Sequence, residues 1–339
     1  MTALPCLEYR ERPWCLKRMR CLRLLVFAAT LAAPVLFAMP VAHAEPDLGA
    51  SVGVAPGPAA VMVPSINPPH YRASLRPGEA FIYRLSVGTI DGARARMSIG
   101  LPVTRDGRVL IAVQGEAETT DLVRLVAPVT ASYVLTLELG TLLPREVDSK
   151  EKGLRDRSFH SVVDGRIVDQ DIVSATRSWK TKRTLSREVR DPLSAYFALR
   201  ALELEPGTEL DFDVLDGVAL WRTHLKVLEV ESIRLNEESP QPPPPVRAIH
   251  LEGTLVKIDD LGRLLPKIAK RSISCWLTDD AARILLRARF DADLGRAQLE
   301  LTTYVSPQGA IKTTKASGKL IPLALPGLTR TAVVTPAKK

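Results

Sequence analysis

Cysteine is scarce in this chain of 339 residues, and three of its four, Cys6, Cys15 and Cys21, lie in the first 21 positions. Removal of an N-terminal leader leaves Cys275 alone, which excludes an internal disulfide in the mature chain, so packing has to supply the stability. Histidine is also rare. His70, His160, His224 and His250 follow the leader's His43, and none stands at helical or hairpin ligand spacing from another, so no zinc signature is present. Gly-x-Ser-x-Gly is missing, and Ser194 falls inside a helical pattern rather than at a strand-to-helix elbow, which leaves a hydrolase triad without an anchor. Cys275 beside Trp276 has no basic neighbour in sequence and reads as a small buried hydrophobe. Asp279-Asp280 sits in Thr-Asp-Asp-Ala, ordinary turn chemistry rather than an acid/base pair. No catalytic residue, metal ligand or cofactor is assigned, and the chain is read as non-enzymatic.

The N-terminus carries an export pattern. Arg10, Arg12, Lys17, Arg18, Arg20 and Arg23 precede the apolar run Leu24 to Ala38, and Val41-Ala-His-Ala44 fits cleavage after Ala44. An uncleaved anchor is the alternative, but Thr30 and Pro34 interrupt a run already short for a span. Cys21 precedes the apolar run and so cannot be a lipoprotein acylation site. Six of the 46 basic and two of the 38 acidic residues leave with residues 1–44, and the net charge drops from +8 to +4. So mild an excess is a weak argument for nucleic acid. The expected product is a periplasmic or secreted protein with no transmembrane span after cleavage.

Residues 45–70 are rich in Pro, Gly and Ala and read as a linker. Residues 71–306 read as one domain, and 307–339 as a loosely ordered tail. Strands are expected at 81–87, 93–99, 108–114, 133–139, 159–163, 210–214, 220–230, 246–255 and 273–277. Asp91-Gly92, Asp106-Gly107, Asp164-Gly165 and Asp216-Gly217 supply hairpin signals between them, which favours an antiparallel meander over βαβ units. A last hairpin is expected over 283–303. Ile284, Leu286, Ala288, Phe290 and Ala292, with Ala297, Leu299, Leu301 and Thr303, should face the core; Arg283, Leu285, Arg287, Arg289 and Asp291, with Arg296, Gln298, Glu300 and Thr302, should face water. The arginines of the wet face form a candidate anion strip that Asp291 and Glu300 should neutralise across the strands. Gln241-Pro-Pro-Pro-Pro245 should be an exposed loop, with a polyproline ligand as the sharper alternative.

Asp191-Pro-Leu-Ser-Ala-Tyr-Phe-Ala-Leu-Arg200 is the one clear helix. Asp191 is placed to cap it, Pro192 suits its first turn, and Pro206-Gly207 closes the unit. Leu193, Tyr196, Phe197, Arg200 and Leu204 share a stripe. Arg200 on that stripe either extends its head to water or meets a carboxylate from the sheet.

This segment with Pro206-Gly-Thr-Glu-Leu-Asp-Phe-Asp-Val214, together with Pro77-Gly-Glu-Ala-Phe-Ile-Tyr-Arg-Leu-Ser-Val-Gly-Thr-Ile90 and Cys275-Trp-Leu-Thr-Asp-Asp280, resembles the exported bacterial family called domain of unknown function 3108, over about residues 75–303. The resemblance implies a strongly curved antiparallel sheet, an open barrel or clam, with one packing helix near 191–204, similar in shape to lipoprotein-carrier envelope proteins. The leading functional expectation is an envelope protein that binds or carries a lipid or other amphiphile in an apolar groove. Asp191, Tyr196, Phe197, Arg200, Trp276 and Asp279 are the candidate groove or signature residues. Burial of about 0.8 kcal/mol per methylene makes a twelve-carbon chain worth on the order of 10 kcal/mol gross. The competing expectation is a structural module joined to an envelope assembly through its proline-rich segments.

Overall fold

Strict alternation of apolar and polar residues dominates the chain, and the computed structural model turns it into one antiparallel sheet that curls around a helix. Residues 75–153, 156–237, 240, 242–265, 270–292, 295–307 and 328–331 are described. The leader, the linker and most of the tail lie outside them. The first run of strands is β1 (Ala80–Val87), β2 (Ile90–Arg105), β3 (Arg108–Thr119), β4 (Thr130–Glu138), β5 (Leu143–Lys152), β6 (Arg157–Asp164), β7 (Ile167–Ser174) and β8 (Ser178–Thr184), with a single turn of helix, α1 (Asp121–Arg124), before β4. Helix α2 (Pro192–Ala201) then leads to β9 (Glu209–Asp216), β10 (Ala219–Ile233), β11 (Val246–Ile258), β12 (Arg271–Thr278), β13 (Leu285–Ala292) and β14 (Gly295–Val305). Within the stretch read as a loose tail, Leu328–Thr331 forms β15 on the edge of β9.

The sheet order is β15-β9-β10-β11-β12-β13-β14-β1-β2-β3-β4-β5-β6-β7-β8. Two meanders are therefore joined side by side through β14 and β1, paired from Ala80↔Val305 to Val87↔Ala297. Strands β7 and β9 stand twelve places apart in that order, about 58 Å if the sheet were flat. Yet Gln170 Nε2 on β7 donates to the Gly217 carbonyl, in the turn after β9, at 2.8 Å. Arg183 Nη1 on β8 likewise reaches the Val218 carbonyl at 2.9 Å and pairs with Asp260. The ends meet through side chains and loops, not through a strand ladder, so the barrel is open.

Three of the four Asp-Gly pairs sit at hairpin turns, with Asp106 and Gly107 both at positive φ (52° and 74°) as a tight turn of this kind requires. The fourth does not. Asp91-Gly92 lies inside β2, and the turn is Gly88-Thr89; Gly92 is the extra residue of a bulge, since Leu85 pairs Ala93 while Ser86 pairs Asp91. A second bulge, between Ile82 and Tyr83, corrects the expected facing of β14. Beyond it Thr303 is exposed rather than in the core, and Tyr304 turns inward against Phe81, ring centroids 5.4 Å apart.

The curl encloses α2. Every residue from Leu193 to Ala201 is buried, so the helix has no wet face and is not the one-striped helix its spacing implied. It shares one core cluster with Phe81, Tyr83, Met97, Leu135 and Leu225 from both meanders. Outside this core, Asp213 on β9 fastens the segment that enters α2. It is 1% exposed and takes Arg187 at 2.7 Å and Arg222 at 3.0 Å. Burial alone would raise its pKa, but the hydrogen bonds and charges of the two arginines outweigh it and hold the carboxyl below 3.8. A depressed folded pKa means that the stabilisation is complete above the unfolded value and is lost as pH falls through the folded one. Urea titrations at descending pH should therefore show wild type losing stability below about pH 4 more steeply than Asp213→Asn; parallel curves would contradict this.

Candidate functional site

Helix α2 begins where the sequence places it. Asp191 accepts from Leu193 N at 2.9 Å and Ser194 N at 3.3 Å, and Tyr133 O–H donates to it at 3.1 Å from β4. Pro192 occupies the first helical position, where no N–H is needed. Burial pushes the Asp191 pKa upward against these donors. Ser194 Oγ donates to the Asp191 carbonyl at 3.0 Å, so its hydroxyl closes the helix start and is not presented as a nucleophile.

At the other end of α2, Arg200 answers the question its position raised. It is 0% exposed, as is Glu79 at the entry to β1, and the two form a bidentate pair at 3.0 and 3.1 Å. Arg200 Nε donates to the Ala282 carbonyl at 2.7 Å, and Tyr304 O–H donates to Glu79 at 2.8 Å. The rings of Phe81, Tyr196 and Phe197 surround the guanidinium at 5.6 to 5.8 Å. Tyr196 O–H accepts from Leu285 N at 3.1 Å and so ties α2 to β13. Glu79, Phe81, Tyr304 and Ala282 complete the cluster, and none was singled out in the sequence. Their only local signal is the Pro-Gly-Glu-Ala-Phe block, in which a Glu precedes an inward-facing Phe.

Thus Asp191, Tyr196, Phe197 and Arg200 share the interior around α2, whereas Asp279 does not join them. Trp276 is buried and counts with Tyr196 and Phe197 in one core cluster, but its polar and ring partners are others: it stacks with His250 at 4.4 Å and bonds Glu231 through its indole N–H. Asp279 is exposed and pairs with Arg247, while Asp280 accepts from Ala282 N at 2.8 Å as a turn residue. Cys275 is buried and free, its pKa pushed up to about 12 by burial. A cavity of about 10 Å³ beside Tyr133, Phe159 and Asp191 has room for a single water.

On the outer face, His160 faces Asp148 at 2.9 Å and Glu146 at 4.0 Å across β5 and β6. This is a metal-type donor set that a search for His–His spacing does not find, because strand register assembles it. It is half-buried and already bonded internally, and Arg105 reaches Glu146 at 3.6 Å.

A curled, open antiparallel sheet wrapped round a buried capped helix is the class of protein these features define. The chain belongs to the family described as Protein of unknown function (DUF3108), whose model matches residues 82–302. No match is found among curated proteins. Among solved structures it is similar to a β-barrel-like protein of domain of unknown function DUF1849 from Brucella abortus, at 9% identity and TM-score 0.41, covering 68% of this chain and 98% of that one. It is also similar to the hypothetical lipoprotein YmcC from Escherichia coli, at 10% identity and TM-score 0.25, covering 70% and 95%. No described helix is long and apolar enough to cross a membrane.

Proposed function

We propose that the protein is an exported, non-enzymatic module of the cell envelope that works through its outer surface, rather than a carrier that holds an amphiphile inside its curl. The observation that carries this reading is the burial of α2 on every side. The space an acyl chain would need is taken by Phe197, Leu199 and the Arg200–Glu79 pair, and opening it would strand an ion pair in an apolar interior. Export is supported by the basic, apolar and Ala-His-Ala succession before residue 45. Pro242 to Pro245 are exposed between β10 and β11, a stiff segment suited to a partner's aromatic groove.

Native mass spectrometry of protein taken from its own envelope should give one apo mass, with no uptake of a fluorescent fatty acid. A bound lipid mass or saturable uptake would overturn the reading in favour of a carrier. Replacing Pro242 to Pro245 with glycine and serine, which leaves β10 and β11 intact, should reduce the envelope complexes recovered after crosslinking while leaving the melting temperature unchanged.

A further inference from the structure

Where β13, β14 and β1 lie side by side, the outer face holds a recess of about 260 Å³ whose lining includes Arg84, Ser86, Thr89, Asp91, Arg289, Arg296 and Gln298. Antiparallel neighbours of opposite charge ordinarily neutralise one another. In the adjoining recess over β2 and β3, Arg94 stands opposite Glu118 and Arg96 opposite Glu116 in register, so each arginine faces an acid there. Neutralisation is incomplete here, against the expectation that Asp291 and Glu300 would silence the whole strip. Glu300 is taken by Arg287 at 2.7 Å and Arg84 at 3.3 Å. Arg287, expected to face water, is buried by that pairing. Asp291 stands opposite Arg296 in register and feels its charge, yet its hydrogen bonds go to Ser272 on β12. Arg289 donates only to the neutral Gln298 Oε1 at 2.8 Å and rests over Trp276 at 5.3 Å. Among the described residues neither Arg289 nor Arg296 has a carboxylate within ion-pair distance.

We propose that this recess binds a phosphate group, with Arg289 and Arg296 supplying the charge and Ser86 and Thr89 the hydroxyl donors. Planar guanidinium forks match the oxygens of a phosphate, and Gln298 and Trp276 hold one of the two forks in place before any ligand arrives. Partial burial lowers the Arg289 pKa, as do the charges of Arg287 and Arg296, and the charges of Glu237 and Glu300 offset this only in part. Asp91 and Glu300 limit the positive charge nearby, which suits one phosphate rather than a long polyanion. The site lies on the outside of the sheet and does not depend on whether the interior carries a lipid.

The shared chemistry has two sources, free phosphate and a lipid headgroup. Inorganic phosphate titrated into the full chain against chloride at equal ionic strength, followed through the arginine Nε–H resonances, tests the first; vesicles of phosphatidylglycerol against phosphatidylcholine test the second. Saturable binding in either arm supports the site and names the source. Arg289→Gln and Arg296→Gln should each weaken that binding by about tenfold or more, and Arg94→Gln should leave it unchanged. Arg296 is exposed and, among the described residues, holds no side-chain hydrogen bond, so its variant should melt with wild type. No saturable response in either arm, or binding by the double variant equal to wild type, would overturn the proposal.

Discussion

Replacing Arg200 with methionine should lower the free energy of unfolding by about 3–5 kcal/mol, because a charge is removed from one side of a fully desolvated pair. Glu79 would keep the Tyr304 hydroxyl and lose both guanidinium bonds, and the Ala282 carbonyl would lose its donor. Methionine fills much of the same volume among Phe81, Tyr196 and Phe197, so the loss reports the stranded carboxylate and not a cavity. The double variant Glu79→Leu/Arg200→Met removes both charges and should recover most of the stability, since apolar replacement of a whole buried pair is often neutral. Urea denaturation of the wild type, both single variants and the double variant closes the cycle. Equal melting of wild type and Arg200→Met would sink the account. The pair joins β1 to the end of α2, more than a hundred residues later, so its loss should loosen the seam between the two meanders.

Gly253→Ala should cost about 3 kcal/mol or more, the upper end of what overpacking a sheet interior produces. Gly253 sits in mid-β11, paired with Leu225 on β10 and Ile273 on β12. A Cβ there would lie 1.9 Å from the His224 carbonyl oxygen and 2.7 Å from Leu225 Cδ2. The oxygen belongs to the backbone of a paired strand and moves only if the ladder moves with it. Gly165→Ala is the contrast. Its φ is +60° with nothing within 4 Å, so only the left-handed conformation is penalised, by about 1–2 kcal/mol. Denaturant midpoints should rank the two variants in that order; a milder Gly253→Ala would show that β10 and β11 separate more easily than their ladder implies.

The strands that alternate clearly were legible: β1, β6, β9 and β12 lie within a few residues of where apolar periodicity puts them. The expected strand segments did not include β5, β7 and β8, and the reason is chemical. Leu-Pro-Arg-Glu-Val-Asp-Ser-Lys-Glu-Lys carries charge on its outer face and little apolar signal on its inner one. Ser-Trp-Lys-Thr-Lys-Arg-Thr is an edge strand, whose lysines deter pairing with another chain and erase the hydrophobic pattern. Bulges were invisible because one extra residue changes the facing without changing the composition, as at Gly92 and before Tyr83. The candidate site was half legible. Asp191 announced itself as a cap and Arg200 as an anomaly, but the partners of Arg200 lie at the entry to β1 and in the β12–β13 turn, and a further residue of β14, Tyr304, holds its carboxylate partner.

What the sequence by itself determined is local: an antiparallel meander, one capped helix, and a family resemblance whose model match spans 82–302. Each follows from spacings of a few residues, the range over which propensity, capping and alternation act. Only the tertiary structure decided that β14 pairs with β1, that the sheet curls until β7 reaches the turn after β9, and that α2 is swallowed whole. It also decided that Glu79 meets Arg200 while, among the described residues, Arg289 and Arg296 have no carboxylate within ion-pair distance. Charge composition cannot distinguish these outcomes, because a salt bridge depends on which strands become neighbours and on which face each bulge leaves a side chain.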